Sequence, residues 1–334
     1  LHLLFTLLKA KTGHDFSAYK RNTVLRRIDR RMMVKEVQRF RKYLTILEED
    51  PKEAEALYQE LLIGVTGFFR DTEAFQLLRS EVIPRLFANR GDEEPVRIWH
   101  ACCATGEEAY SVAMLVQDYL EEQQLHTRVQ IFATDLDEAA INRARAGIYA
   151  AAIENEVAQP WLRKYFTRHN GNYQVDKTLR EMIVFAHHNI IKDPPFSRLD
   201  LLVCRNFLIY LNMEMQRRLM ALFHQVISPG GFLFLGSAET VGLQSNLFAP
   251  LDKKWKIFIR QNGEQRLDLP FPFFGPIRRM SGVSTTLRQS ESQPPTPTAL
   301  ADKVLMERYV PARVIVNERN EVVHFSKQAG AYLL

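Results

Sequence analysis

The sequence predicts an α/β protein: an open, mainly parallel sheet with helices on both faces, preceded by an all-helical region. Three observations carry this. Apolar residues recur at helical spacing through residues 1–88, where Gly is scarce. From Val96 onward, short apolar runs alternate with helical stretches, the pattern of crossover units. Those runs show little polar alternation, as strands covered on both faces do.

The elements follow in order. Asp50 precedes Pro51, so a helix is expected to start with Pro51 in its first turn. VRIWH (96–100) is the first strand, ACCATG a turn, and a helix is expected over about 107–120. VQIFAT (129–134) is the second strand, ending at Asp135, with a helix from about residue 137. Residues 147–182 break the alternation. They hold Trp161, Tyr165, Phe166 and the turn HNGN (169–172), and read as an insertion of a helix plus a hairpin. IVFA (183–186) and LDLLVC (199–204) are the third and fourth strands. Asn212 caps a helix that stops at SPGG; GFLFL (231–235) and residues 256–259 complete the set. Residues 261–300 end in ESQPPTPTAL, a linker composition. Residues 301–334 resume order as a helix to about Arg308, RVIV, a turn at NERN and EVVHFS. So short a piece rarely forms a core, so it reads as the start of a further domain.

At 334 residues the chain has room for about two domains. Three cysteines exclude a disulfide scaffold, and no 18-residue apolar run is present. The chain opens on Leu1 without a charged leader, as expected of a piece of a longer polypeptide, and reduced cysteines favour the cytoplasm. The net charge of +5 hides a concentration. Residues 20–42 hold ten Lys/Arg against Asp29 and Glu36, a net of +8 that leaves −3 for the rest. Such an element suits an anionic partner. On a helical wheel Val24, Leu25, Ile28 and Met32 share one arc of about 100°. Arg26, Arg27, Arg30 and Arg31 fall on a separate face, expected to point outward with few interleaved carboxylates.

Ligands of an open parallel sheet sit at the carboxyl ends of strands. Those ends carry Ala101–Glu108, Asp135, Asn189, Asn206 and Tyr210. A carboxylate after the second strand suits a ribose diol, and Asp135 or Asp137 equally suits the cap of the next helix. ACCATGEE has one glycine, Gly106, which argues against a pyrophosphate, and no phosphate-loop motif exists. A nucleoside without phosphates fits better, and S-adenosylmethionine is the common one on this architecture. Cys102, Cys103, Cys204 and the His187–His188 pair lack metal-ligand spacing.

Taken together, VTGFFRD (65–71), WHACCATGEEAYSVAM (99–114), FATDLD (132–137), NIIKDPPFSRLDLLVCRNFLIYL (189–211) and SPGGFLFLGSAE (228–239) resemble the CheR-type chemotaxis receptor methyltransferases over residues 15–260. The resemblance implies a Rossmann-like S-adenosylmethionine-dependent methyltransferase sheet (89–260) with an N-terminal helical domain (1–88). It also implies a small inserted β-subdomain (147–182), followed here by a linker (261–300) and the start of a PAS-like domain (301–334). It implies methyl transfer to glutamate side chains of chemoreceptors. Thr66, Arg70, Gly106, Glu108, Asp135, Asn189, Ile190 and Asn206 are then expected to bind the cofactor, with Arg70 and Tyr210 nearest the reacting methyl. Arg26, Arg27, Arg30 and Arg31 are expected to meet the cytoplasmic helical region of the receptor. The membrane would be reached only through the receptor, and the other partners would be further domains of the same polypeptide. Gly64, His100 and Cys102 depart from residues usual in the family, and the hairpin loop at 169–172 is short.

The rival is a nucleic-acid amino-methyltransferase, suggested by DPPF (193–196) and a pI of about 9.0. Position argues against it: DPPF precedes the fourth strand, whereas the motif belongs after it. A silent S-adenosylmethionine-binding module is the other alternative.

Overall fold

A computed structural model describes residues 1–62, 64–88, 90, 94–244, 246–262, 314–316 and 322–325. The chain divides into two units, Leu1–Leu267 and Asp268–Leu334.

The first unit opens with four helices, α1 (His2–Thr12), α2 (Arg21–Val34), α3 (Phe40–Glu49) and α4 (Pro51–Leu61). Leu4, Leu8, Phe16, Val24, Ile28, Tyr43, Leu47 and Leu57 form their shared core. The Asp50 carboxylate accepts the Lys52 N–H at 2.9 Å and Pro51 takes the first turn, so α4 begins where its cap places it. After a linker, α5 (Thr72–Leu77) passes through a π-helical turn at Leu78–Val82 into α6 (Ile83–Phe87).

The sheet follows. β1 (Val96–Ala101), α7 (Glu107–Glu122), β2 (Val129–Asp135) and α8 (Glu138–Ala146) lead into the insertion. The insertion holds β3 (Ile148–Ala150), α9 (Gln159–Tyr165), β4 (Phe166–His169) and β5 (Asn172–Val175), an antiparallel sheet in the order β3-β5-β4. The β4–β5 hairpin follows the turn residues; β3 adds a strand that three residues do not announce. Then come α10 (Lys177–Met182), β6 (Ile183–His187), β7 (Leu199–Cys204), α11 (Met213–Val226), β8 (Ile227–Leu235), β9 (Phe248–Asp252) and β10 (Ile257–Arg260).

The seven-stranded sheet has the order β6-β2-β1-β7-β8-β10-β9. β6, β2, β1, β7 and β8 run parallel; β10 is antiparallel to β8, and β9 is antiparallel to β10. The chain first builds outward from β1 to β6, then returns to add β7 on the other side. The carboxyl ends of β1 and β7 therefore flank the switch point where a ligand crevice opens. Two strand expectations are corrected. SPGG does not precede its strand: β8 runs through it, and a register shift between Leu199 and Leu201 takes up the extra residues. β9 contains Pro250, which hides a strand in sequence but is tolerated at the sheet edge that β9 occupies.

In the second unit the described residues form an antiparallel pair, β11 (Val314–Val316) with β12 (Val322–Phe325). The expected linker and the helix to Arg308 lie outside the described residues. Among the described residues no helix is long and apolar enough to cross a membrane.

Candidate active site

At the switch point lies a cavity of about 330 Å³. Its floor is the ends of β1, β2 and β7, and its far wall is the segment between α1 and α2. That segment is pinned on two sides. Lys192 donates to the Gly13 carbonyl at 2.8 Å, and the Lys20 N–H donates to the Tyr210 carbonyl at 2.7 Å. Thr66, Arg70, Glu108, Asp135, Asn189, Ile190, Asn206 and Tyr210 all line this one space.

Asp135 ends β2 with each oxygen engaged. Oδ2 accepts the Ala104 N–H at 2.8 Å and Oδ1 the Asp137 N–H at 2.9 Å. Burial pushes its carboxyl above the usual range, against those two hydrogen bonds. Asp137, not Asp135, caps α8, its Oδ1 accepting from Ala139 and Ala140. Asp135 thus ties the β1–α7 loop to β2 and keeps lone pairs toward the cavity.

Gly106 does not line the cavity. Its φ is +92°, and a Cβ there would lie 2.8 Å from Ala144 Cβ and 3.1 Å from the Phe185 ring. What the structure shows for Gly106 is a packing role: it lets the start of α7 pack on α8 and β6.

Glu108 lines the cavity with its carboxylate already engaged. It is buried, and Oε1 accepts from Arg205 Nη1 at 2.7 Å. Oε2 lies 3.6 Å from His100 Nε2, and neither ring nitrogen of His100 has a hydrogen-bond partner within the protein. Arg205, which sequence reasoning passed over, holds this corner. Nη1 donates to the Arg70 carbonyl at 3.0 Å, and Nη2 pairs with Asp71 Oδ2 at 2.5 Å. Its guanidinium lies over the Phe234 and Phe75 rings. Its place beside Asn206 in CRNF was the available signal. His14, Tyr19 and Arg218 also line the cavity and were missed. Nothing local in the sequence shows the helical region folding back over the sheet.

The backbone around the cavity is unusual. Phe69, Asp71, Cys102, Ala104 and Asn206 all have positive φ, between 48° and 63°. Such residues cost roughly 1–3 kcal/mol each and persist where surrounding contacts over-determine them. Asn206 shows how. Its N–H donates to Glu239 Oε2 at 2.9 Å, and the same buried carboxylate accepts from Gly236 and Leu208. A Cβ at Gly236 would sit 2.8 Å from Asn206 Nδ2. Asn206 Oδ1 is buried without a partner, an acceptor waiting for a donor.

Arg70 reaches the cavity with Nη1 on the Val65 carbonyl at 3.1 Å. Tyr210 ends the 3₁₀ turn Leu208–Tyr210 on the same space. Asn189 folds onto its own loop: its Oδ1 accepts the Ile191 N–H. The Cys102 thiol meets that of Cys204, and this contact and burial hold it well above the ordinary thiol range. It is no nucleophile. Among the described residues no cluster holds a metal ion. DPPF stays outside: Phe196 stacks on Phe132 at 4.5 Å, and Asp193 accepts the Asn189 N–H.

The basic helix is corrected in part. Val24 and Ile28 are buried as expected. Arg27 and Arg30 share Glu60 of α4 at 3.1 Å each. Arg31 makes a two-pronged contact with Glu53, at 3.0 and 2.7 Å, and Glu53 also accepts from Tyr43 and pairs with Lys35. Burial pushes the Glu53 carboxyl up, yet these donors outweigh it and hold it below the usual range. The compensating carboxylates come from another helix, which the i,i+4 argument does not see. Arg26 is exposed and the Arg30 side chain is 65% exposed, while Arg27 and Arg31 face the bundle.

Residues 64–257 match the S-adenosylmethionine-binding domain of CheR methyltransferases, and residues 1–62 match their all-alpha domain. The chain belongs to the CheR methyltransferase family. It is 36% identical over 96% of its length to an uncharacterized 104.1 kDa protein of Rhodobacter capsulatus, of which it spans 33%. It is 34% identical to putative methyltransferase Cher3 of Pseudomonas putida, over 77% of this chain and 95% of that one. It is 31% identical to chemotaxis protein methyltransferase 2 of Vibrio cholerae, over 71% and 84%. The cofactor of CheR methyltransferases is S-adenosylmethionine, and the cavity fits it. It offers a half-buried carboxylate for a diol and an unpartnered amide oxygen for an ammonium group, and among the described residues no phosphate cradle.

Proposed function

We propose that this CheR-family chain transfers methyl groups from S-adenosylmethionine to glutamate side chains of chemoreceptors, in the cytoplasm. The observation that carries the reading is the meeting of Arg70, Asp135, Asn206 and Tyr210 around one cavity. Asp135 would hold the ribose hydroxyls, Asn206 the methionine end, and Ile190 and Asn189 the side of the base. Bound there, the cofactor supplies an electrophilic methyl on a cationic sulfur.

The protein's own part is positioning. A glutamate carboxylate, pKa near ~4.3, is already an anion at neutral pH, so no general base is needed. Arg70 would hold the incoming carboxylate, and the Tyr210 hydroxyl would donate to its non-attacking oxygen. Attack neutralises charge, so a cavity that excludes water favours it. The DPPF loop packed away from the cavity favours this chemistry over amino-group methylation of nucleic acid.

The exposed Arg26 and Arg30 would meet a glutamate-rich receptor helix. The test offers tritiated S-adenosylmethionine with receptor-containing membranes, DNA and RNA in parallel. Label on the receptor, released by mild base as methanol, supports the proposal. Label on nucleic acid, or cofactor binding without transfer to any of the three, refutes it.

A further inference from the structure

Residues 68–71 deliver Arg70 to the cavity, and positive φ at Phe69 and Asp71 makes their path unfavourable unaided. Each of the four is held. Ser111 Oγ of α7 accepts the Phe69 N–H at 2.9 Å. Arg205 takes the Arg70 carbonyl and the Asp71 carboxylate. These clamps come from α7 and the loop after β7. The fourth comes from the insertion: Glu156 Oε2 accepts the Phe68 N–H at 2.7 Å.

Glu156 is exposed, with no ion-pair partner among the described residues, and this is its one described side-chain hydrogen bond. Gly67 leaves room for it: a Cβ there would stand 3.0 Å from the same oxygen. The Phe68 ring, 3% exposed, is met edge-on by Tyr149 at 4.9 Å and Phe166 at 5.5 Å, both from the insertion. The Tyr149 hydroxyl donates to the Thr105 carbonyl at 2.7 Å. The insertion thus grips both the linker that carries Thr66 and Arg70 and the loop that Asp135 ties down.

We propose that Glu156 is a positioning residue for Arg70, and that the inserted β-subdomain is a working part of the active site. A short hydrogen bond to a carboxylate fixes the linker at its entry to the cavity. Displacement of a reacting group by about 1 Å costs up to ~10²-fold in rate. The inference rests on reading Arg70 as part of the cofactor and substrate site.

The test compares Glu156→Gln, Glu156→Ala, Gly67→Ala, Arg70→Ala and the Glu156→Ala/Arg70→Ala double variant. kcat and KM are measured on receptor membranes, and affinity for S-adenosylhomocysteine by calorimetry. Glu156→Ala should lower kcat about 10- to 100-fold with KM for receptor nearly unchanged. Glu156→Gln, whose amide oxygen still accepts, should recover most of the loss, and Gly67→Ala, whose Cβ crowds the same oxygen at the exposed end of Glu156, should lower kcat by less than Glu156→Ala. The double variant should be no worse than Arg70→Ala alone. Parental kcat in Glu156→Ala, or a loss that adds in full to that of Arg70→Ala, overturns the inference. If the parent methylates no receptor, the proposed function fails separately. The inference is then read on S-adenosylhomocysteine affinity, which Glu156→Ala must weaken without adding to Arg70→Ala; parental affinity overturns it.

Discussion

Asp135→Asn separates loop-tying from cofactor binding. The Asp135 carboxylate accepts two backbone N–H groups on different oxygens and faces the cavity. Replacing it by an amide removes the charge that a ribose diol would meet. A hydrogen bond to a charged group contributes about 1.5–3 kcal/mol, so affinity for S-adenosylhomocysteine should fall about 10- to 150-fold. Stability is a poorer readout, because two effects oppose. The amide has one acceptor, so Ala104 or Asp137 loses its partner, at roughly 1–3 kcal/mol. Against this, the native carboxyl is raised above its ordinary 3.8, chiefly by burial. A raised carboxyl contributes stability that is fully present below its unfolded pKa and lost as pH rises through the folded one. At neutral pH the charge is therefore a burden that the amide relieves. Calorimetry decides the matter. Affinity of the parent should fall on acidification through the raised pKa, and that dependence should vanish in the variant. Unchanged affinity near neutral pH would show that Asp135 only ties the loop.

Tyr210→Phe should lower turnover on receptor membranes and leave S-adenosylhomocysteine affinity intact; parental turnover would reduce the hydroxyl to packing. Arg26→Glu with Arg30→Glu should abolish receptor methylation without altering cofactor affinity. Raising salt should mimic it in the parent, since exposed charges are screened over about 10 Å at 0.1 M. Arg31→Ala should instead lower stability by roughly 1–3 kcal/mol in urea unfolding, because it strips two hydrogen bonds from the buried Glu53. Gly106→Ala should destabilise by roughly 1–3 kcal/mol in the same assay, its Cβ meeting Ala144 and Phe185.

What the sequence could show was whatever is written locally. Strands β1, β2, β6 and β7 are short apolar runs with turn residues at their ends. The chemistry-bearing residues sit just beyond them, so Asp135 and Asn206 were legible as a site. β9 was hidden because Pro250 contradicts a strand unless the strand is an edge, and edges are set by topology. The basic helix misled for a related reason. Arg31 and Arg27 find Glu53 and Glu60 on α4, more than twenty residues away, and no helical-spacing rule reaches that far. Gly106 was legible as a special glycine but not as to what it approaches. Arg205 illustrates the remaining blind spot. One guanidinium gathers Asp71 and the Arg70 carbonyl from one segment and Glu108 from another, and only the fold brings them within reach.

The central claim is methyl transfer to a side-chain carboxylate, and mapping the product tests it most directly. The protein is incubated with receptor membranes and S-adenosylmethionine carrying a trideuterated methyl, and the receptor peptides are sequenced by tandem mass spectrometry. The account predicts the heavy methyl on glutamate residues of the cytoplasmic helices, lost on brief treatment with base. A heavy methyl that survives base on lysine, arginine or any other nitrogen, or its absence from glutamate while the protein binds the cofactor, would contradict it.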